Sequence, residues 1–306
     1  MAIAKINPAA KPAGIRESLG ERMFYIANIV FFILLGLATL FPFLNLIAKS
    51  FSSEAAVISG SVTIFPVDFQ TGTYRFVLAS KQFLNSFKVT VLLAIAGTVL
   101  SLFMTVLAAY PLSKPSMKFR KPILLLYIFT MLFNGGLIPT YLLVQKLGMV
   151  NTFWALFVPG LISVFYMLIV KNFFESLPES LEESAKLDGA SNMRVLWSVM
   201  LPLAKPVLAT VGLFYAVLLW NSYFTAMIYI TDPELKPLQL YLKELIASTN
   251  DVLNLTGAID VSQDMNKTPE AVQAASIVTA TIPILLVYPF LQKYFVKGVM
   301  VGSVKG

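Results

Sequence analysis

Between residues 176 and 206 the chain orders acidic, small and turn-forming residues in a way that suits protein docking rather than bond chemistry. Glu182, Glu183 and Asp188 supply carboxylates, Ser184, Ala185 and Ala190 keep the profile low, and Gly189 offers a turn; Leu201, Pro202, Leu203 and Pro206 follow. A carboxylate on such a helix accepts charge-assisted bonds from a basic partner, and a glycine admits close backbone approach. Ser176, Pro178 and Glu179 read as a helix start with an S-x-x-E capping box. Gly189 ends that helix near Asp188. Ser191 then starts a second helix, which Pro202 stops or kinks. The pattern places Leu181, Ala185 and Leu187 or Ala190 near one side, with Glu182, Glu183, Lys186 and Asp188 on the others. Two readings stay open on these signals: an interfacial helix packed on its own protein, or a docking surface for another.

Other chemistries are excluded by composition. The chain has no cysteine and no histidine, which removes disulfides, thiolate chemistry, Cys/His metal sites and histidine bases. Charged residues make up only 13% of it, against about 25% in a soluble protein. Apolar residues come in blocks of about 20, the length that crosses a bilayer as a helix. The net charge of +7 belongs to basic loops at a membrane face rather than to nucleic-acid binding, because the aromatics sit in the apolar blocks and not among the lysines. No stretch reads as a cleaved signal peptide, since the first apolar run is too long and reads as a retained anchor.

These residues are positioned by an all-α, polytopic membrane protein with six expected spans, at about 23–47, 89–110, 122–144, 152–170, 206–230 and 271–292. None contains Asp, Glu, Lys or Arg. Basic residues sort by loop. Lys5, Lys11, Arg16 and Arg22 lie in an N-terminal tail (1–22), and Lys114, Lys118, Arg120 and Lys121 crowd the second loop. Lys171, Lys186, Arg194 and Lys205 lie in the fourth loop (171–205), and Lys293, Lys297 and Lys305 in the C-terminal tail; the third loop has only Lys146. The positive-inside rule puts both termini and loops two and four in the cytoplasm. The long first and fifth loops (48–88 and 231–270) then face outward. The fifth is acidic, with Asp232, Glu234, Glu244, Asp251, Asp260, Asp264 and Glu270.

The fourth loop resembles the "EAA" loop of binding-protein-dependent ABC importers: Glu183, Ala185, Asp188, Gly189, Ala190, Leu201, Pro202, Leu203 and Pro206 fall on its pattern, and Ser184 departs from it. A second likeness is the tail, where Lys297, Gly298, Gly302, Lys305 and Gly306 resemble the KG-x-x-x-G-x-x-KG ending of maltose-type carbohydrate permeases. A third is the run F-N-G-G-L-I-P-T-Y (133–141) followed by Leu147 and Gly148, similar to oligosaccharide permeases grouped with polygalacturonan and rhamnogalacturonan uptake. The resemblance covers nearly everything from the first span to Gly306.

It implies a type I ABC importer permease fold over 23–306, with a core of spans 2–6 (about 85–295) and a cytoplasmic coupling helix between spans 4 and 5. It implies a multi-pass protein of a bacterial cell membrane, forming half of a translocation pore with a second permease subunit, expected as a heterodimer. Its further partners are a cytoplasmic ATPase dimer, an extracellular solute-binding protein, an oligosaccharide and membrane lipid, with no nucleic acid. Glu182, Glu183, Ser184, Ala185, Asp188, Gly189, Ala190, Leu201 and Pro202 are the implied ATPase-coupling residues. The chain has no G-x-x-x-x-G-K-[ST], so ATP and Mg²⁺ are bound by the partner subunits and no cofactor is expected here. The acidic fifth loop either reaches the binding protein or is an ordinary solvated loop.

For an oligosaccharide, Trp220, Asn221 and Tyr223 offer amide bonding and ring stacking. Asn221 either lines a pathway or bonds a neighbouring backbone. Asn134, with Gly135, Gly136 and Pro139, breaks the third span, as a hinge or pore element or to let helices pack closely. The competing reading is an ion-coupled secondary transporter or channel subunit. Acidic relays within spans, usual in ion-coupled carriers, are missing here. A membrane-embedded enzyme finds no nucleophile–base pair and no intramembrane carboxylate pair, so the chain reads as a transport subunit.

Overall fold

The computed structural model describes residues 18–254 and 268–303, with side chains described over 18–248 and 268–287. Lys5, Lys11, Arg16, Asp260, Asp264 and Lys305 lie outside the described residues. So does the end of the KG tail motif, while Asp251, Lys293 and Lys297 fall where only the backbone is described. Every regular element among the described residues is helical. In chain order these are α1 (Leu19–Ser50), α2 (Glu54–Ile58), α3 (Gly72–Ala79), α4 (Lys81–Ser113), α5 (Arg120–Leu132), α6 (Leu137–Lys146) and α7 (Val164–Ser176). They continue with α8 (Ser180–Leu187), α9 (Asn192–Val195), α10 (Leu201–Leu203), α11 (Lys205–Trp220), α12 (Phe224–Tyr229), α13 (Leu238–Asn254) and α14 (Pro269–Ser303).

Three helices are long and apolar enough to cross a membrane alone: α1, α4 and the Pro269–Val287 part of α14. Three further segments are bent pairs, so among the described residues length and composition allow three spans, or up to six if each bent pair is one. Each bend has a local cause. Between α5 and α6 the chain turns 113°, where Gly136 takes φ +93 and donates its amide to Asn134 Oδ1 at 2.9 Å. The expected fourth span is not one helix. Short 3₁₀ turns at Phe153–Leu156 and Val158–Gly160 meet α7 at 54°, since Pro159 lacks an amide and Ser163 caps a fresh helix start. The expected fifth span is also interrupted, because α11 stops at Trp220 and α12 restarts at Phe224.

The bundle centre is the packing of α4 on α11. A side-chain carbon at Gly97 would lie 2.6 Å from Leu219 Cδ1, and one at Gly212 would lie 2.9 Å from Leu102 Cδ1. Small residues here bring the two backbones close, the usual basis of helix packing in lipid, where apolar burial drives little. A buried hydroxyl knot fixes the register. Tyr215 Oη pairs with Thr105 Oγ1 at 2.8 Å and accepts the Ser163 amide at 2.9 Å, which joins α11, α4 and the start of α7. Around it pack Ala109, Met167, Val170, Val195, Met200 and Val211.

The two ends of α4 collect different loops. At its start, Gln82 donates to the Pro233 carbonyl at 2.8 Å and Asn85 to the Glu234 carbonyl at 2.7 Å. Thr90 Oγ1 accepts the Leu238 amide at 2.7 Å. Asn151, in the left-handed region at φ +58, accepts the Thr231 and Asp232 amides at 3.0 and 2.8 Å. Loops one, three and five therefore share one end of the bundle. At the other end, Lys114 pairs with Glu182 and Arg120 with Glu175, so loops two and four share the opposite end. That grouping matches the one the charge pattern predicts. By contrast, the apolar window of α1 is not buried within the chain at all, so it is free to meet lipid or another subunit.

Candidate coupling surface

The 176–206 segment folds as a helix–turn–helix, and it starts differently from the sequence expectation. The Ser176–Glu179 capping box does not form. α7 runs on to Ser176, whose hydroxyl donates to the Phe173 carbonyl at 2.7 Å. Leu177 is extended, as a residue before proline prefers, and α8 starts behind Pro178 with no side-chain cap. The end is as expected. Gly189 takes φ +80, its amide reaches the Lys186 carbonyl at 3.0 Å, and the Ala190 amide reaches the Ala185 carbonyl at 3.0 Å. This pair of bonds is the Schellman ending that glycine permits. Ser191 then accepts the Arg194 amide at 3.4 Å and caps α9.

Pro202 does not stop the second helix. The five residues Leu196–Met200 widen into a π-turn, which makes room for a ring that clashes with the carbonyl four residues back in a regular helix. The helix continues to Leu203 and turns 83° into α11. Ala204 at the corner is fully buried, and Pro206 sits in the first turn of α11, where its missing amide costs nothing.

The implied coupling residues split into two faces. Glu182 is 8% exposed and forms an ion pair with Lys114, whose ammonium also lies 4.7 Å from the centre of the Tyr110 ring. Ala185, Ala190 and Leu201 pack toward the core. Glu183, Ser184, Asp188, Gly189 and Pro202 are exposed. Leu187 corrects the expected apolar side, being 89% exposed rather than turned inward. The outward edge of α8 is thus Glu183, Ser184, Leu187 and Asp188, a small acidic strip with one exposed leucine among the described residues.

Behind this edge stands a charge lattice that the basic-loop count alone did not assign. Arg120 bonds Glu175 and donates through Nε to the Leu112 carbonyl at 2.8 Å. Buried Lys171 reaches the same Glu175 at 2.8 Å. Two hollows of about 410 and 530 Å³ flank the Lys114–Glu182 contact, and both are lined by Lys114, Glu182 and Lys186. Burial, aided by the Lys186 ammonium and opposed by Glu179, holds Lys114 below the usual lysine range. The available signal was the pairing of one crowded basic loop with the carboxylates at 175, 179, 182 and 183, but sequence spacing could not say which pairs meet.

The four expected pathway residues are not brought to one place. Trp220 packs edge-to-face on Phe87, with centroids 6.2 Å apart, and its indole nitrogen is buried with no hydrogen-bond partner among the described residues. Asn221 caps α11 and donates to the Val217 carbonyl at 2.8 Å, which is the backbone-bonding reading. Both line a hollow of about 230 Å³ walled by Val91, Ile95, Pro283 and Ile284. Tyr223 is half exposed beside Phe224. Asn134 lies at the separate α5–α6 break and accepts only the local Gly136 amide among the bonds described for it. In the fifth loop, Asp232 caps its own turn and Lys236 neutralises Glu244 at 2.7 Å. Among the described residues no cluster of three acidic, His or Cys side chains could hold a metal ion.

Residues 106–301 match the family described as "Binding-protein-dependent transport system inner membrane component". The chain is 46% identical to Protein LplC of Bacillus subtilis over 93% of its length and 96% of that protein's. It is 39% identical to the polygalacturonan/rhamnogalacturonan transport system permease protein YtcP of the same organism, over 94% of this chain and 99% of the relative. Among solved structures, it is 36% identical to a chain from a bacterial ABC transporter that imports the acidic polysaccharide alginate. The TM-score is 0.83, with coverage of 91% of this chain and 99% of the other.

Proposed function

This chain belongs to the family of binding-protein-dependent transport system inner membrane components, and from that premise we propose that it is the permease subunit of an ATP-driven importer of acidic oligosaccharides. It forms half of the pore beside a second permease subunit. A cytoplasmic ATPase subunit, which binds ATP and Mg²⁺, seats on α8. The end of the bundle carrying loops two and four faces the cytoplasm, together with both termini, and the Asn151 end faces an extracellular binding protein.

The observation that carries the reading is the free outer edge of α8. Glu183 and Asp188 offer carboxylates to a basic partner, Leu187 offers an apolar knob, and Gly189 leaves the backbone uncovered, with open space around the position of a side-chain carbon. An eight-residue helix that exposes Leu187 at 89% is a poor final surface for an isolated chain and a good one for a complex.

The substrate class rests on the relatives. Two of them, at 39% and 36% identity, carry polygalacturonan or alginate in their names, and both polymers are chains of uronic acid. In this chain Trp220 and Asn221 line a hollow whose other walls are aliphatic, so the second permease would supply most of the polar contacts that sugar hydroxyls need.

The test is uptake into vesicles holding the complete complex. ATP-dependent accumulation of trigalacturonate, with no uptake of maltotriose, is the expected result. ATP-independent uptake driven by an ion gradient would overturn the proposal in favour of a secondary transporter.

A further inference from the structure

We propose that α4 is the rod that links the ATPase face to the binding-protein face, and that the Lys114–Glu182 ion pair is the joint by which α8 engages it. The inference rests on the importer reading above and names residues of its force path.

Consider what happens to a push on the outer edge of α8. The helix is only eight residues long and is attached at both ends by bends: extended Leu177 before Pro178 on one side, and left-handed Gly189 on the other. A short helix between two bends turns under a push unless side chains tie it to something stiff. Ala185 packs on the core, and Glu182 adds a charged tie. It sits in the first turn of α8, turned inward, and meets Lys114 at the cap residue of α4. Low accessibility at both partners keeps solvent from screening the pair as it does exposed ones.

α4 is stiff and long. It runs as one helix through 33 residues, with Pro111 in its last turn, and spans about 50 Å at 1.5 Å per residue. Its far end is bonded to the backbone of the opposite loop through Gln82, Asn85 and Thr90. Displacement at Lys114 therefore reaches residues 233–238 without passing through a loop. Arg120, at the start of α5, bonds both Glu175 of α7 and the Leu112 carbonyl of α4, which ties the neighbouring end of α7 to the same end of α4. Coupling of this kind is reciprocal in binding free energy: a loaded binding protein pressing on 233–238 should prime the ATPase seat through the same rod.

The experiment uses the complete importer in vesicles, with trigalacturonate-loaded binding protein as the stimulus. Glu182→Gln and Lys114→Met should each leave the ATPase subunits bound. Stimulation of hydrolysis by the loaded binding protein should fall about tenfold, the scale of a typical coupling energy. The chain has no cysteine, so a Lys114→Cys/Glu182→Cys pair can be bridged with a short bis-thiosulfonate reagent. Bridging should restore stimulation, and cleaving the bridge with reductant should remove it again. A bridge that fails to restore stimulation, or single variants that keep it, overturns the joint while leaving the importer reading intact. Failure of the unmodified complex to bind ATPase subunits sinks the importer reading instead.

Discussion

Gly189 separates two physical demands that one residue can meet: a left-handed backbone and an uncovered surface. Its φ of +80 costs an ordinary L-residue about 1–2 kcal/mol, and asparagine tolerates that region best among the others. A side-chain carbon built there meets nothing within 4 Å in the chain, so steric overlap inside the subunit adds nothing to this cost. Three variants then divide the problem. Gly189→Asn should leave the subunit's thermal midpoint nearly unchanged. Gly189→Ala should lower stability by about 1–2 kcal/mol. Gly189→Trp should cost a similar amount to the fold while placing a bulky ring on the docking edge. If an ATPase subunit packs against this backbone, Gly189→Trp should weaken its attachment by more than about tenfold, or 1.4 kcal/mol, beyond any effect of Gly189→Ala. The assays are thermal unfolding of the detergent-purified subunit and titration of the labelled ATPase onto it. Wild-type ATPase affinity in Gly189→Trp, or in its combination with Glu183→Ala, would refute the docking argument and return α8 to a purely structural role.

Asn221→Leu removes the bond to the Val217 carbonyl at a cost of about 1 kcal/mol; trigalacturonate uptake should fall while ATPase attachment persists, and unchanged uptake would count against a lining role. Tyr215→Phe strands Thr105 Oγ1 and the Ser163 amide and should cost about 1–2 kcal/mol, read as a lowered unfolding midpoint in detergent. Lys114 offers a pH test with a definite sign. Burial lowers its pKa from 10.5, so its ammonium is present below that lowered value and is lost as pH rises through it, before an ordinary lysine titrates. Stimulated hydrolysis should therefore fall on the alkaline side. Lys114→Arg, whose guanidinium does not titrate in proteins, should extend activity to higher pH, and coincident alkaline limbs would exclude Lys114 as the titrating group.

Much of the architecture was legible along the chain because lipid imposes a simple rule. A span must be about 20 apolar residues with its backbone bonds internally satisfied, and 13% charged residues leave few ways to place the loops. Gly189 and Ser191 were legible for the same local reason, since turn and cap chemistry depends on a residue and its near neighbours. The break at Asn134–Gly136 was legible too. The break before Ser163 carried a local signal, Pro159 followed by Gly160, that the apolar run around it masked, whereas the break at 221–223 follows an apolar run with no proline or glycine to mark it.

Two adjacent glutamates mark where the sequence stops deciding. Glu182 and Glu183 are the same residue type, one step apart, in a helix whose existence and end the sequence specifies. One is buried against Lys114 and the other faces outward. A helix rotates about 100° per residue, so their fates differ only through the angular phase at which α8 meets the bundle. That phase is set by distant contacts: α7 running on to Ser176, the crowded second loop standing at the end of α4, and Ala185 and Ala190 packing on the core. Composition and spacing determined that a short acidic helix would stand between the fourth and fifth apolar segments; only the packing of helices far apart in the chain decided which carboxylate pairs within the protein and which stays exposed.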